Sequence, residues 1–261
     1  MDKNQIESID HLNVILFQMR KSEETAKAEY DNFILRTGLG PANLTGLNLY
    51  VEPNWDANRL AEYDAFIIGG ISDDPSHSLE LTMDYYPFLN TFRDILSKAL
   101  ETKTPGLLSC GGFMLGSVLL GGEIALDPIR KEMDIVQLNL TNDGMKDPLF
   151  ESMPCQFHIM SGHNKSTVTL PDNATLLAGT DKCPIHVFRI NDSLIYGFQG
   201  HPEITTEEIK ARVGPYREKY FDSEEQYLKF LENKTDTSLA NSLVIKFLSM
   251  VLNHKKVSQH L

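Results

Sequence analysis

The sequence has only three cysteines in 261 residues, Cys110, Cys155 and Cys183, and they are widely spaced. That excludes a disulfide framework and any CxxC metal site. No apolar run approaches the roughly 18 residues of a membrane span. The opening stretch, MDKNQIESID, is polar and lacks the apolar region of a secretory signal, so a cytoplasmic protein is expected. Basic residues are in deficit, 24 against 36 acidic, for a net charge of -12. An acidic surface repels phosphate backbones and anionic lipid, which argues against nucleic acid and membrane as partners. Internal repeats, low-complexity tracts and Pro/Gly/Ser-rich linkers are also lacking, so a single domain over residues 1–261 is expected. Six Asn-x-Ser/Thr triplets, at Asn43, Asn139, Asn164, Asn173, Asn191 and Asn233, carry no weight without a secretory signal.

What is present is an ordinary globular composition, 41% hydrophobic and 23% charged, with a regular alternation in its first half. LNVILFQM (12–19) is a continuous apolar run, as expected of a strand buried on both faces. Ser22 and two glutamates open a helix reaching about Leu35, and Gly38, Gly40 and Pro41 end it. LNLYV (47–51), AFII (65–68) and PGLL (105–108) read as further strands. A short helix over 56–62 precedes the second of these, and one carrying Phe88, Phe92, Ile95, Leu96 and Leu100 precedes the third. Such alternation predicts an α/β fold with an open, mostly parallel sheet flanked by helices, its chemistry at the carboxyl ends of the strands. After Glu123, closely spaced strand candidates separated by turn residues predict antiparallel hairpins added to the sheet. Helices return after Thr205, the last over SLANSLVIKFLSMVLNH.

The stretch LLSCGGFMLG (107–116) sets Cys110 between a strand and a helix, with Gly111 and Gly112 behind it. Two readings compete. A buried cysteine is commonly a small hydrophobe. At a strand-turn-helix elbow, however, a thiol is presented above the sheet at a helix N-terminus, where the attacking thiolate is favoured. A base would decide between them, and YGFQGHPEIT (196–205) carries His201-Pro202-Glu203. In an extended segment residues i and i+2 share a side, so Glu203 could orient the His201 imidazole. Alone, the triplet reads equally as a turn.

Together these residues resemble the class I glutamine amidotransferase family, which pairs a Gly-x-Cys-x-Gly elbow with a Gln-x-His-Pro-Glu segment about 90 positions later. Here Cys110 and His201 are 91 positions apart and Gln199 stands two before His201. EYDAFIIGGISDD, LLGG, DPLFESMP and MSGHNKSTVTLPDNATLLAGTDKCPIHVFRI follow in the family's order, so the resemblance spans roughly 10–210, with C-terminal helices over 211–261. It implies a flavodoxin-like fold and a triad of Cys110 (nucleophile), His201 (general base, then acid) and Glu203 (orienting carboxylate). The backbone N–H groups of Gly70 and Gly111 would form the oxyanion hole. Hydrolysis through a thioester requires no metal and no other cofactor.

Two positions depart from the family pattern. Leu108 stands where a glycine is usual, and Met114 where a glutamine commonly binds the donor amide. Methionine cannot make those hydrogen bonds. His163 aligns with a family histidine near the glutamine site, displaced by Gly162; it touches substrate or faces solvent on a hairpin. Cys155 and Cys183 have no base near them and read as structural, and DYYPF (84–88) as core packing. The leading expectation is a glutaminase-type hydrolase acting on a small-molecule substrate, its ammonia passing to a separate synthase subunit or to solvent. The alternatives are hydrolysis of another γ-glutamyl amine or peptide, and a non-catalytic regulatory subunit that retains the fold.

Overall fold

In the computed structural model, which describes residues 9–71, 79–214 and 217–258, the first apolar run forms strand β1 (Val14–Met19), buried throughout. Helix α1 (Glu23–Thr37) follows, capped by Ser22 at one end and by left-handed Gly38 (φ 72°) at the other. The Ser22 hydroxyl accepts from the backbone of Thr25, and the first-turn glutamates suit the positive helix end. Then come β2 (Leu44–Asn48), a 3-10 turn (Ala57–Glu62), β3 (Ala65–Ile71), α2 (Leu89–Thr102), β4 (Gly106–Ser109) and α3 (Gly111–Leu119). The second half holds β5 (Glu123–Leu126), β6 (Glu132–Leu140), β7 (Gln156–His163), β8 (Lys165–Thr169), β9 (Ala174–Gly179), β10 (Val187–Ile190) and β11 (Ile195–Phe198). Four helices close the described chain: α4 (Thr206–Arg212), α5 (Arg217–Tyr220), α6 (Glu224–Glu232) and α7 (Ser238–Ser258).

Nine strands form one mixed sheet in the order β2-β1-β3-β4-β11-β10-β9-β6-β7, of which the first five run parallel. Alternate residues of β1 separate its two faces. Val14 and Leu16 pack with Phe33 of α1 and with Leu243, Val244 and Phe247 of α7. Ile15 and Phe17 pack with Phe92 and Ile95 of α2 and with Phe113 and Leu115 of α3. Both faces are therefore covered, which accounts for the continuous apolar runs.

The structure departs from the sequence reading in three places. The second strand is Leu44–Asn48 and not 47–51, because parallel pairing sets Val14 against Leu44 and leaves 49–50 as a turn. The third does not stop before Gly69-Gly70 but continues to Ile71. Those glycines make room for a side chain, since a Cβ on Gly69 would lie 2.4 Å from the Glu29 carboxylate. Finally, not every late strand belongs to an added hairpin: β11 is a parallel core strand inserted beside β4, while β5 and β8 form a separate two-stranded sheet.

Leu108 is fully buried, and the bare backbone of Gly116 on α3 makes room for it, since a Cβ there would lie 2.8 Å from Leu108 Cδ1. Leu108→Ala should cost about 2–5 kcal/mol in chemical denaturation, as expected for an unfilled core cavity; a loss below about 1 kcal/mol would contradict this packing.

Candidate active site

The carboxyl ends of β4 and β11 bring the chemistry together. Cys110 follows β4 with φ 48° and ψ -97°, a conformation rarely held by a residue with a side chain. Its N–H donates to Phe198 O at 2.8 Å, and its carbonyl accepts from the Met114 N–H at 2.9 Å to start α3. The next two residues must be glycine. A Cβ on Gly111 would lie 2.6 Å from Ile71 N, and one on Gly112 the same distance from Ile68 O. The Cys110 thiol, partly exposed, donates to Gly162 O at 3.7 Å.

His201 enters by a single antiparallel bridge to Met160, its N–H donating to Met160 O at 2.8 Å. Its Nδ1 meets Glu203 Oε1 at 2.7 Å. The His-Pro-Glu segment is a turn rather than the expected extended stretch, closed by the Ile204 N–H on His201 O. Two residues that the sequence reading passed over hold it. The Ser109 hydroxyl donates to Glu203 Oε2 at 2.9 Å, and the Asn241 amide of α7 donates to the carbonyls of Pro202 and Ile204. Burial pushes the His201 pKa down, but the charges of Cys110 and Glu203 and their hydrogen bonds outweigh it and hold the imidazole well above 6.5. For Glu203, burial is outweighed by His201 and Ser109, and its pKa is lowered.

The Gly70 N–H, expected in the oxyanion hole, is occupied: it donates to Glu29 Oε1 at 2.8 Å. Glu29 is also paired with Arg20, whose Nη2 lies 2.6 Å away. The guanidinium sits where a Cβ on Gly70 would be, which places it beside His201 Cε1. Neither Arg20 nor Glu29 was singled out from the sequence. Their signal was positional, since Arg20 directly follows β1 at the carboxyl edge of the sheet.

Met114 and His163 both line a small cavity of about 40 Å³ beside Cys110 and Gly111. His163 is buried and not solvent-facing, and its Nε2 lies 3.2 Å from Glu132 Oε2. His186 Nε2 (3.1 Å) and the Ser161 hydroxyl (2.9 Å) meet the same oxygen, and Thr180 donates to the other. Burial raises the Glu132 pKa, yet the hydrogen bonds from the two imidazoles override it and hold the carboxyl far below its usual range. Burial keeps the His163 pKa lowered despite Glu132. Glu132, His163 and His186 offer ligand atoms within 4.8 Å of one another, a donor set suited to a divalent ion. Those atoms are also mutually satisfied as hydrogen bonds. Of the other cysteines, Cys155 is exposed, and burial pushes the Cys183 thiol up to about 12.

The chain is 32% identical over 105 residues to a glutamine-hydrolyzing GMP synthase subunit of Methanosphaera stadtmanae, covering 40% of this chain and 54% of that one. This similarity is to a glutamine-hydrolyzing enzyme of the class I glutamine amidotransferase type. The chain is also 27% identical over 164 residues to gamma-glutamyl peptidase 3 of Arabidopsis thaliana, covering 60% of this chain and 63% of that one. The chain thus spans only about half to two thirds of the length of these relatives. No protein-family profile matches it. A glutamine amidotransferase of Thermotoga maritima shares the fold with a TM-score of 0.71 at 17% identity, covering 93% of this chain and 99% of that one. Among the described residues, no helix is long and apolar enough to cross a membrane.

The His201–Glu203 pair makes a pH prediction. Glu203, with its pKa depressed, contributes stability above the unfolded value of about 4.3 that is lost as pH falls through the folded one. His201, raised, contributes stability below about 6.5 that is lost as pH rises through its folded value. NMR titration should place the His201 imidazole well above 6.5 in the wild type and lower in Glu203→Gln. A wild-type midpoint at or below 6.5 would contradict the pairing.

Proposed function

We propose that the chain is a cysteine-dependent amidohydrolase that opens a γ-glutamyl amide, with glutamine the leading substrate. The observation that carries this reading is the elbow at Cys110 beside an imidazole held at 2.7 Å by a buried carboxylate. His201 takes the thiol proton as Cys110 Sγ attacks the amide carbon. The C–N bond then breaks, the same proton passes to the leaving nitrogen, and a γ-glutamyl thioester remains. Water, deprotonated by His201, hydrolyses it. The Gly111 N–H is the backbone donor for the developing oxyanion, the Gly70 N–H being engaged by Glu29. Glu203 orients His201, and Ser109 and Asn241 fix Glu203 and its turn. The chain acts as one amidotransferase-like domain.

The amidotransferase relatives include a GMP synthase subunit, which supports delivery of ammonia from this chain to a separate synthase subunit. A second reading rests on Met114. It lies buried in the small cavity where the family commonly uses a glutamine amide, and its thioether offers no comparable hydrogen bond. Another γ-glutamyl amine or peptide then replaces glutamine, consistent with the similarity to a gamma-glutamyl peptidase.

The test is amine or ammonia release from L-glutamine and a panel of γ-glutamyl compounds, beside Cys110→Ala. Turnover should appear with at least one compound and fall by roughly 10³-fold or more in the variant. Equal release by both proteins, or none from any compound, would falsify the assignment and favour a non-catalytic regulatory role.

A further inference from the structure

A second cluster of titratable groups, outside the triad, is built on the ends of four strands. Glu132 opens β6 and stands opposite His163, the last residue of β7, in their antiparallel register. Ser161 lies two residues before His163 and shares its side of β7. His186 directly precedes β10, and Thr180 directly follows β9. All five residues are buried. Strand pairing therefore assembles the cluster on rigid elements before any ligand arrives.

Hydrogen bonding alone accounts poorly for this arrangement. A carboxylate oxygen has two lone pairs, yet His163 Nε2, His186 Nε2 and Ser161 Oγ all converge on Glu132 Oε2. The two imidazole contacts, at 3.2 and 3.1 Å, are also longer than the 2.7 Å contact of His201 with Glu203. Two atoms that share a tetrahedral zinc ion, each about 2.0–2.1 Å from it, stand roughly 3.3 Å apart. Ser161 Oγ lies 3.3 Å from His186 Nε2 and fits the same spacing. Glu132 is ionised and burial keeps His163 neutral, the protonation states that a metal ion requires. Thr180 holds Glu132 Oε1, and the His163 ring hydrogen-bonds the Lys165 backbone, contacts of the kind that orient metal ligands from behind. A cavity of about 450 Å³, lined by Glu132, Thr180 and exposed Asp222, gives an ion a way in. We propose that Glu132 Oε2, His163 Nε2 and His186 Nε2 bind one zinc ion, with Ser161 Oγ closing the fourth position. Imidazole and carboxylate donors suit zinc, and four protein ligands with no open place make a structural site. The ion pins the end of β7 beside Gly162, whose carbonyl receives the Cys110 thiol, and takes no part in the thioester chemistry. This inference does not depend on the hydrolase reading.

Metal content and melting temperature of the full chain test the site. After chelation, reloading with Zn2+ and gel filtration, elemental mass spectrometry should find one zinc per wild-type chain. Zinc at about a hundredfold above Kd should raise Tm by roughly 5 °C or more, and a chelator should reverse the shift. Cys110→Ala should keep the zinc, which separates this site from the thiol and imidazole of the triad. Glu132→Gln, which keeps the side chain's shape, should lose both the zinc and the Tm response. Co2+ in place of zinc should give the visible absorption of a tetrahedral site in the wild type and in Cys110→Ala. A wild-type chain with no zinc and no Tm shift overturns the inference and leaves a hydrogen-bonded cluster. Zinc lost in Cys110→Ala, or retained in Glu132→Gln, places the metal elsewhere and overturns it too. Should Glu132→Gln fail to fold, zinc content, Tm and the Co2+ spectrum of the wild type and Cys110→Ala decide.

Discussion

The backbone of Cys110 is held at φ 48°, and the arrangement of the site follows from how that strain is sustained. Such a conformation costs about 1–3 kcal/mol and persists only when its surroundings over-determine it. Three elements do so here. The Cys110 N–H is fixed on Phe198 at the end of β11, Met114 draws its carbonyl into α3, and two glycines let the first turn of α3 lie against β3. The strand that accepts the Cys110 N–H runs on within three residues to His201. One hydrogen bond thus sets Cys110 and His201 in register. A late parallel strand inserted beside β4 achieves this, whereas a hairpin appended at the sheet edge would not.

A second constraint is the buried charge of Glu29. A carboxylate removed from water must be paired and hydrogen-bonded, and Glu29 takes Arg20, the Gln18 amide at 3.2 Å and the Gly70 N–H. Gly69 and Gly70 are bare because this carboxylate and the guanidinium occupy the space of their side chains. One consequence is that the Gly70 N–H, expected in the oxyanion hole, donates to Glu29 instead. The other is a fixed cation close to Cys110, His201 and Glu203, with the charges of Cys110 and Glu203 helping to keep Arg20 protonated against its burial.

Much of this was legible in the sequence. Continuous apolar runs report strands buried on both faces, and Ser22 and Gly38 mark the ends of α1 because capping is local chemistry. Motif and spacing singled out Cys110, His201 and Glu203, which line one cavity in the structure. What escaped depends on contacts distant in the chain. Asn241 reaches back 39 residues to Pro202, Glu132 binds imidazoles 31 and 54 residues away, and Glu29 takes the N–H of Gly70 across 41 residues. No local pattern signals such pairs. The shift of the second strand to Leu44 likewise reflects register against β1, which overrides the apolar content of 47–51.

The site region contains two buried Glu–His systems, and their pKa values move in opposite directions. Both set an imidazole against an ionised carboxylate in a desolvated place, yet their pKa values move apart. His163 shares the single charge of Glu132 with His186, and the second imidazole disfavours its protonation, so burial wins and it stays neutral. His201 has Glu203 to itself and adds the charge of Cys110, so burial loses and the protonated form is favoured. Of these two imidazoles, only His201 lies where accepting a proton from the thiol is favourable. Groups whose surroundings drive their pKa values apart divide into acid–base and structural roles. Here His163 and Glu132 organise β6 and β7, whose Gly162 carbonyl receives the Cys110 thiol. This division supports the proton-transfer role proposed for His201 and Glu203.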